Sequence, residues 1–337
     1  MSYKAKSIWF YNPTVSTPQI RQAIQKFSES WLPIHSRDND LQLYHYTTIN
    51  GLKGIIGNRS IWFTHISTLN DPTELKYGKE LIINLIKNEI NKKNDLIINK
   101  ILTLLIEEIN RFDEIMYETY VACFCESDNL LSQWRGYATK GGGYNIGLVI
   151  TSDTKFYHTL DESEKESYII LRKIIYNAEI QNKIIKDYIS LIIKYLNDAI
   201  KYYKSRGGFP AIWENMAAME SVNILFDIMF TLKNSVFSEE NEWRLIIVRQ
   251  TDHKANQLQF RENEKGLIPY INTFIIEKNE NDLFFPIRSI NIGPMLDVTK
   301  TKSALKLFIR KESASESKIK INANGIRILN AGYSLRE

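Results

Sequence analysis

Four short clusters hold most of the residues whose types and spacing could do chemistry. Tyr44-His45-Tyr46-Thr47-Thr48 gathers an imidazole, two phenols and two hydroxyls. Asn70-Asp71-Pro72 is followed by Glu74. In Trp134-Arg135-Gly136-Tyr137-Ala138 two rings three residues apart share one side of a helical turn. Ser238-Glu239-Glu240-Asn241-Glu242-Trp243-Arg244 runs an acidic stretch into the apolar residues 245–248, and Glu242 and Arg244 share one face of that strand. Together they supply hydrogen-bond donors, a stacking surface and paired carboxylates, with no competing Ser-His-Asp set. Each also has a structural reading. His45 serves equally as a hydrogen-bonded structural histidine. Asn70 and Asp71 suit a cap for a helix opening at Pro72, with Glu74 favoured by the helix dipole. The Trp-Tyr pair fits core packing, and the acidic run fits a solvated loop in which Glu242 and Arg244 pair.

The chain that must position these clusters has 337 residues, 44% hydrophobic and 24% charged, the balance of a folded globular protein. Fifteen glycines and eight prolines argue against collagen or long flexible linkers. A net charge of +4 permits contact with a polyanion without requiring it. Cys123 and Cys125 are expected to turn to opposite faces of a strand and stay unpaired, and no second Cys/His cluster completes a zinc site. No basic-then-apolar leader opens the chain, and no run nears the ~18 apolar residues of a membrane span. The expectation is a cytoplasmic protein without membrane contact and without a metal.

Periodicity predicts a helix over 17–31, a strand over 41–46, a helix through Ile49, Leu52, Ile55 and Ile56, and a strand over 60–65. Residues 73–117 read as two helices broken near 91–94. Strands follow at 120–125 and 145–150. Residues 169–176 are ambiguous, and β-branched content favours a strand. A long helix over 179–203 carries a stripe of Ile180, Ile184, Tyr188, Ile192, Tyr195, Ala199 and Tyr203. A further helix spans 211–231. Strands are predicted at 243–248, 267–276 and 287–292, a helix at 303–310 and a last strand at 319–329. The class is α+β, with residues 1–40 a helical extension and 41–332 one domain. Residues 73–117 and 179–231 read as helical insertions into a smaller β-rich core. Gly141-Gly142-Gly143 matches neither a phosphate-binding nor a dinucleotide fingerprint.

In order, His45-Tyr46-Thr47, Asn70-Asp71-Pro72-x-Glu74, Trp134–Ala138 and Glu242-Trp243-Arg244-Leu245-Ile246 resemble a widespread bacterial family of unknown function. Ile290-Asn291-Ile292-Gly293-Pro294 extends that resemblance to roughly 41–330. The first motif is also similar to the opening of ADP-ribosyltransferase-like domains: a strand bearing His, a helix, a second strand, and later a Glu at a strand edge. This resemblance implies an ADP-ribosyltransferase-like split β-sandwich that grips NAD in a cleft, NAD being consumed as substrate. By analogy Glu242 and His45 would be catalytic, with Glu240 of the E-x-E pattern placing an acceptor. His45, Tyr46, Thr47, Trp134, Tyr137, Asn70 and Arg244 would hold the dinucleotide. Two departures stand out. The span from His45 to Glu242 is long, and Trp62, Trp134 and Tyr137 compete for the stacking role.

The leading expectation is an NAD-consuming transferase or glycohydrolase, a toxin or phage-defence effector acting on nucleic acid or protein. The alternative is a non-catalytic nucleotide- or partner-binding module. Hydrolytic phosphodiesterase or nuclease chemistry at Asp71, Glu74 and Glu242 ranks third, because metal-binding spacing is missing. The geometric requirement of the first reading is that His45, Glu242 and one of Trp134 or Tyr137 line one pocket.

Overall fold

In the computed structural model, residues 22–23, 26–27, 30–31, 40–69, 73–92, 95–111, 117–157, 169–209, 212–250, 258–263, 266–279 and 282–332 are described. Most of the N-terminal extension lies outside them, as do Asn70, Asp71 and Pro72 with their expected cap.

Local chemistry sets the first unit. Strand β1 (Leu41–Thr47) ends at Thr48, whose hydroxyl accepts the Gly51 N–H at 3.1 Å and caps α1 (Ile49–Asn58). Arg59, at φ 51°, stops that helix in a left-handed turn and releases the chain into β2 (Ser60–His65). Helices α2 (Thr73–Lys92) and α3 (Leu96–Asn110) follow, the second capped by the Asp95 carboxylate. Then come β3 (Tyr117–Cys125), α4 (Leu131–Tyr137), β4 (Tyr144–Ile150), β5 (Lys155–Tyr157) and β6 (Ile169–Lys173). Helices α5 (Ala178–Lys204) and α6 (Trp213–Thr231) precede β7 (Glu242–Gln250), β8 (Leu258–Asn263), β9 (Gly266–Asn279), β10 (Asp282–Phe284) and β11 (Ile287–Ile292). The last elements are α7 (Val298–Ser313), β12 (Ile319–Lys320) and β13 (Arg327–Asn330). The architecture is α+β.

One curled sheet runs β12-β10-β9-β2-β3-β1-β4-β11-β13, with β7 on the other edge of β3 and β6 beyond it. Alternation along β3 divides two cores. Tyr120, Ala122 and Phe124 face a core shared with Leu43, Phe63, Trp243, Leu245 and α1. Val121 faces the helical layer of α2, α3, α5 and α6, which also buries Ile246 and Ile170. Phe27 joins that layer, its ring 5.1 Å from Tyr188.

The sheet forks at β3. Along one edge β3 pairs with β7 from Tyr117 to Cys125. Its other edge is divided: Cys125 pairs with Tyr44 of β1, while Val121 and Tyr120 pair with Thr64 and His65 of β2. Cys123 sits at the divergence.

Three expectations need correction. Ile180 is 45% exposed, because the buried stripe of α5 runs through Gln181, Ile184 and Ile185 instead. The predicted last strand breaks into β12 and β13 around a turn at Ala323–Gly325. Cys123 and Cys125 face the same side, as residues two apart on a strand must; no disulfide joins them.

Candidate functional site

The acidic run forms the 3₁₀ turn Ser235–Glu240, and Asn241, at φ 42°, swings the chain into β7. Glu242 thereby lands opposite Cys125, and Arg244 lies between Cys123 and Arg172. The Arg244 guanidinium clasps Glu242, Nε to Oε1 at 2.7 Å and Nη2 to Oε2 at 3.1 Å. Lys233, just past the end of α6, donates from Nζ to Glu242 Oε2 at 2.9 Å and to Glu240 Oε2 at 2.6 Å. Arg244 Nη1 also reaches the Phe230 carbonyl at 3.1 Å, which ties the end of α6 to the sheet.

Electrostatics follow from this geometry. Burial alone would push the Glu242 carboxyl up, but the Arg244 charge and hydrogen bonds, with Lys233 and the Cys123 thiol, outweigh it and hold the group at about 2. Glu242 is therefore ionised at neutral pH, and its charge is compensated. A second bridge, Arg172 to Asp227 at 3.4 Å, joins β6 to α6 deeper in the same seam. Burial drives the Asp227 carboxyl up and the Arg172 guanidinium down, each opposed by its partner.

Above this floor the side chains become half-exposed and aromatic. The Tyr176 hydroxyl accepts the Glu242 N–H at 3.1 Å. The Phe237 ring lies 5.0 Å from Lys233 Nζ. Tyr137, at the end of α4, is 37% exposed; burial of its hydroxyl raises the phenol pKa, and the Glu240 charge raises it further. The arrangement is a charged floor of Glu242, Arg244 and Lys233 beneath a rim of Tyr137, Tyr176, Phe237 and Glu240.

Of the residues singled out in the sequence, Glu242, Glu240, Arg244 and Tyr137 come together here. His45 does not. Tyr44 is the register partner of Cys125, and Cys125 that of Glu242, so Tyr44 and Glu242 share a face and His45 takes the other. Its ring packs 5.5 Å from Phe124, and Nδ1 donates to the Cys123 carbonyl at 2.9 Å, at the fork. Burial lowers the His45 pKa, the Cys123 bond opposes this, and the Arg261 charge adds to it, so the ring is neutral at pH 7. Trp134 is wholly buried, with Nε1 donating to Asn129 Oδ1 at 3.1 Å. The Tyr46 hydroxyl donates to the Ser127 carbonyl at 3.2 Å and accepts the Leu130 N–H at 2.8 Å. Thr47 packs on α1, where any side chain at Gly51 would strike its hydroxyl. Asn70 lies outside the described residues.

Lys233, Tyr176 and Phe237 were not anticipated. A lone lysine directly after the buried stretch Ile228-Met229-Phe230-Thr231-Leu232 is the signal that marked Lys233, because a cation there demands buried carboxylates. Among the described residues no group of three or more His, Cys, Asp or Glu side chains could hold a metal ion, and no helix is long and apolar enough to cross a membrane.

Residues 133–245 match the family described as Protein of unknown function (DUF2971). The matched segment begins beside Trp134 and ends just past Arg244, so it contains most of α4, with Tyr137, and the start of β7, whose side chains help build the cluster. The motifs around His45 and Asn291 fall outside it. No curated protein and no solved structure matches the chain.

Proposed function

We propose that this protein is a nucleotide-binding module, with the Tyr137–Glu242 cluster as the binding site and Glu242 as part of its frame. The observation that carries this reading is the engagement of both Glu242 oxygens by Arg244 and Lys233. A carboxylate that stabilises an oxocarbenium-like transition state must offer charge that its own neighbours have not already compensated. Glu242 offers little. The rim supports a ligand that stacks: Tyr137 and Phe237 present rings, and beside them stands the half-buried Glu240 carboxylate, held by Lys233.

A second reading keeps the chemistry. NAD-consuming ADP-ribosyl transfer, to nucleic acid or protein in a toxin or defence setting, is favoured by the convergence of Glu240 and Glu242 on Lys233 and by the fork in the sheet. The placement of His45 counts against its histidine-dependent form. NAD is the ligand in both readings.

Titrating NAD and AMP into wild type and Tyr137→Ala by calorimetry tests the proposal. Saturable binding that weakens in the variant supports it. Equal affinity in both proteins removes the cluster as the site.

A further inference from the structure

The Glu242 row continues across the sheet. Register partners link Glu242 to Cys125, Cys125 to Tyr44, Tyr44 to Gly147, Gly147 to Ser289 and Ser289 to Arg327. One step along the strands, Tyr46, Asn145, Asn291 and Leu329 form the parallel row. Both rows lie on one face, so Asn145, Asn291 and Ser289 share the side of the sheet that carries Glu242, three strands away for Asn145 and four for the other two.

Those three side chains are 0%, 3% and 1% exposed. Among the described residues, Asn291 Nδ2 and Oδ1, Asn145 Oδ1 and Ser289 Oγ have no hydrogen-bond partner. Only Asn145 Nδ2 is used, on the Asp128 carbonyl at 3.0 Å. Native interiors pair nearly all such atoms, and each exception needs a reason. Here four fall on adjacent positions of two neighbouring strands, where facing Cβ atoms stand about 5 Å apart. Gly147 completes the patch: a Cβ there would strike Ser289 Oγ and meet the Tyr44 ring at 3.0 Å, so the ring lies directly over this backbone. The patch's outer neighbour β13 leaves Arg327 and Leu329 exposed.

We infer that Asn291, Asn145 and Ser289 form a recognition pocket for a planar ligand edge bearing a hydrogen-bond donor beside an acceptor, with Tyr44 as its ring-bearing wall. A primary amide offers the same donor–acceptor pair in return, which is how Asn reads adenine. Adenine and a carboxamide such as that of nicotinamide both present this edge. The inference deepens the nucleotide-binding reading by naming the chemistry of a second subsite on the same face, and it rests on that reading only for the link between the two.

The test measures adenosine, purine riboside (which lacks the exocyclic donor), nicotinamide and NAD against wild type, Asn291→Leu and Tyr137→Ala by calorimetry. Wild type should bind adenosine or nicotinamide, and whichever binds identifies the source of the edge. If the edge is adenine's, adenosine should exceed purine riboside about tenfold. Asn291→Leu should lose the bound ligand at least tenfold. It should melt no lower than wild type, because it removes two unpaired polar atoms and keeps the volume. Ser289→Ala should weaken binding less. Neither ligand binding, or binding unaffected by Asn291→Leu, overturns the inference even if NAD still binds through Tyr137. Adenosine binding without NAD binding keeps the pocket and overturns the Tyr137 site.

Discussion

His45 and Glu242 lie on opposite faces of the sheet with β3 between them: His45 packs on Phe124, while Glu242 sits beside Cys123 and Cys125. The imidazole fills the fork, where the Cys123 carbonyl lies between the β1 and β2 pairings. His45→Ala leaves that carbonyl without its donor and should cost about 1–3 kcal/mol in urea unfolding. NAD affinity should be unchanged. A loss of affinity with unchanged stability would return His45 to the binding site.

Glu242→Gln strands two buried cations. Removing one partner of such a pair typically costs about 3–5 kcal/mol, and Glu240 and the Phe230 carbonyl, which remain as partners, put the expected loss at the low end. The sign of the pH dependence follows. The folded carboxyl sits at about 2, against an ordinary value of 4.5. Its contribution is complete above pH 4.5 and is lost as pH falls towards 2. Unfolding free energy should decline over that window in wild type, with a shallower slope in Glu242→Gln.

The Arg172–Asp227 bridge makes a separable prediction. Asp227→Leu alone leaves the guanidinium buried without its carboxylate and should destabilise by about 3–5 kcal/mol. Arg172→Met with Asp227→Leu should recover most of that. A double-mutant cycle showing simple additivity would mean that the two charges do not act as a pair.

Tyr137→Ala and Glu240→Gln probe the rim. Tyr137 is 37% exposed with its hydroxyl buried, so its truncation should cost about 1 kcal/mol in stability while weakening nucleotide binding about tenfold through lost stacking. Calorimetry and thermal melting of the same samples separate the two effects.

Much of the fold was legible because local signals agreed. The strand predicted over 60–65 and that over 287–292 coincide with β2 and β11, and the break near 91–94 separates α2 from α3. Periodicity does not report strand pairing, so neither the fork at β3 nor the row from Glu242 to Arg327 could be read in advance. The same gap misplaced His45: its motif marked a strand edge, but its facing depends on which residue of β3 lies beside Tyr44. Trp134 and Tyr137 looked equivalent at helical spacing, and the Asn129 carbonyl oxygen that takes the indole N–H decided which ring stays buried. Lys233 was missed because its partners lie seven and nine residues later, across a turn.

On this reading the Glu242 cluster binds a nucleotide without cleaving it. The direct measurement incubates saturating NAD with wild type, follows free nicotinamide by chromatography, and determines NAD affinity by calorimetry, with RNA, DNA and cell-extract protein as acceptors. Binding should be saturable and weakened by Tyr137→Ala, with nicotinamide no higher than in protein-free controls. Nicotinamide release that disappears in folded Glu242→Gln would contradict it and establish Glu242 as a catalytic carboxylate.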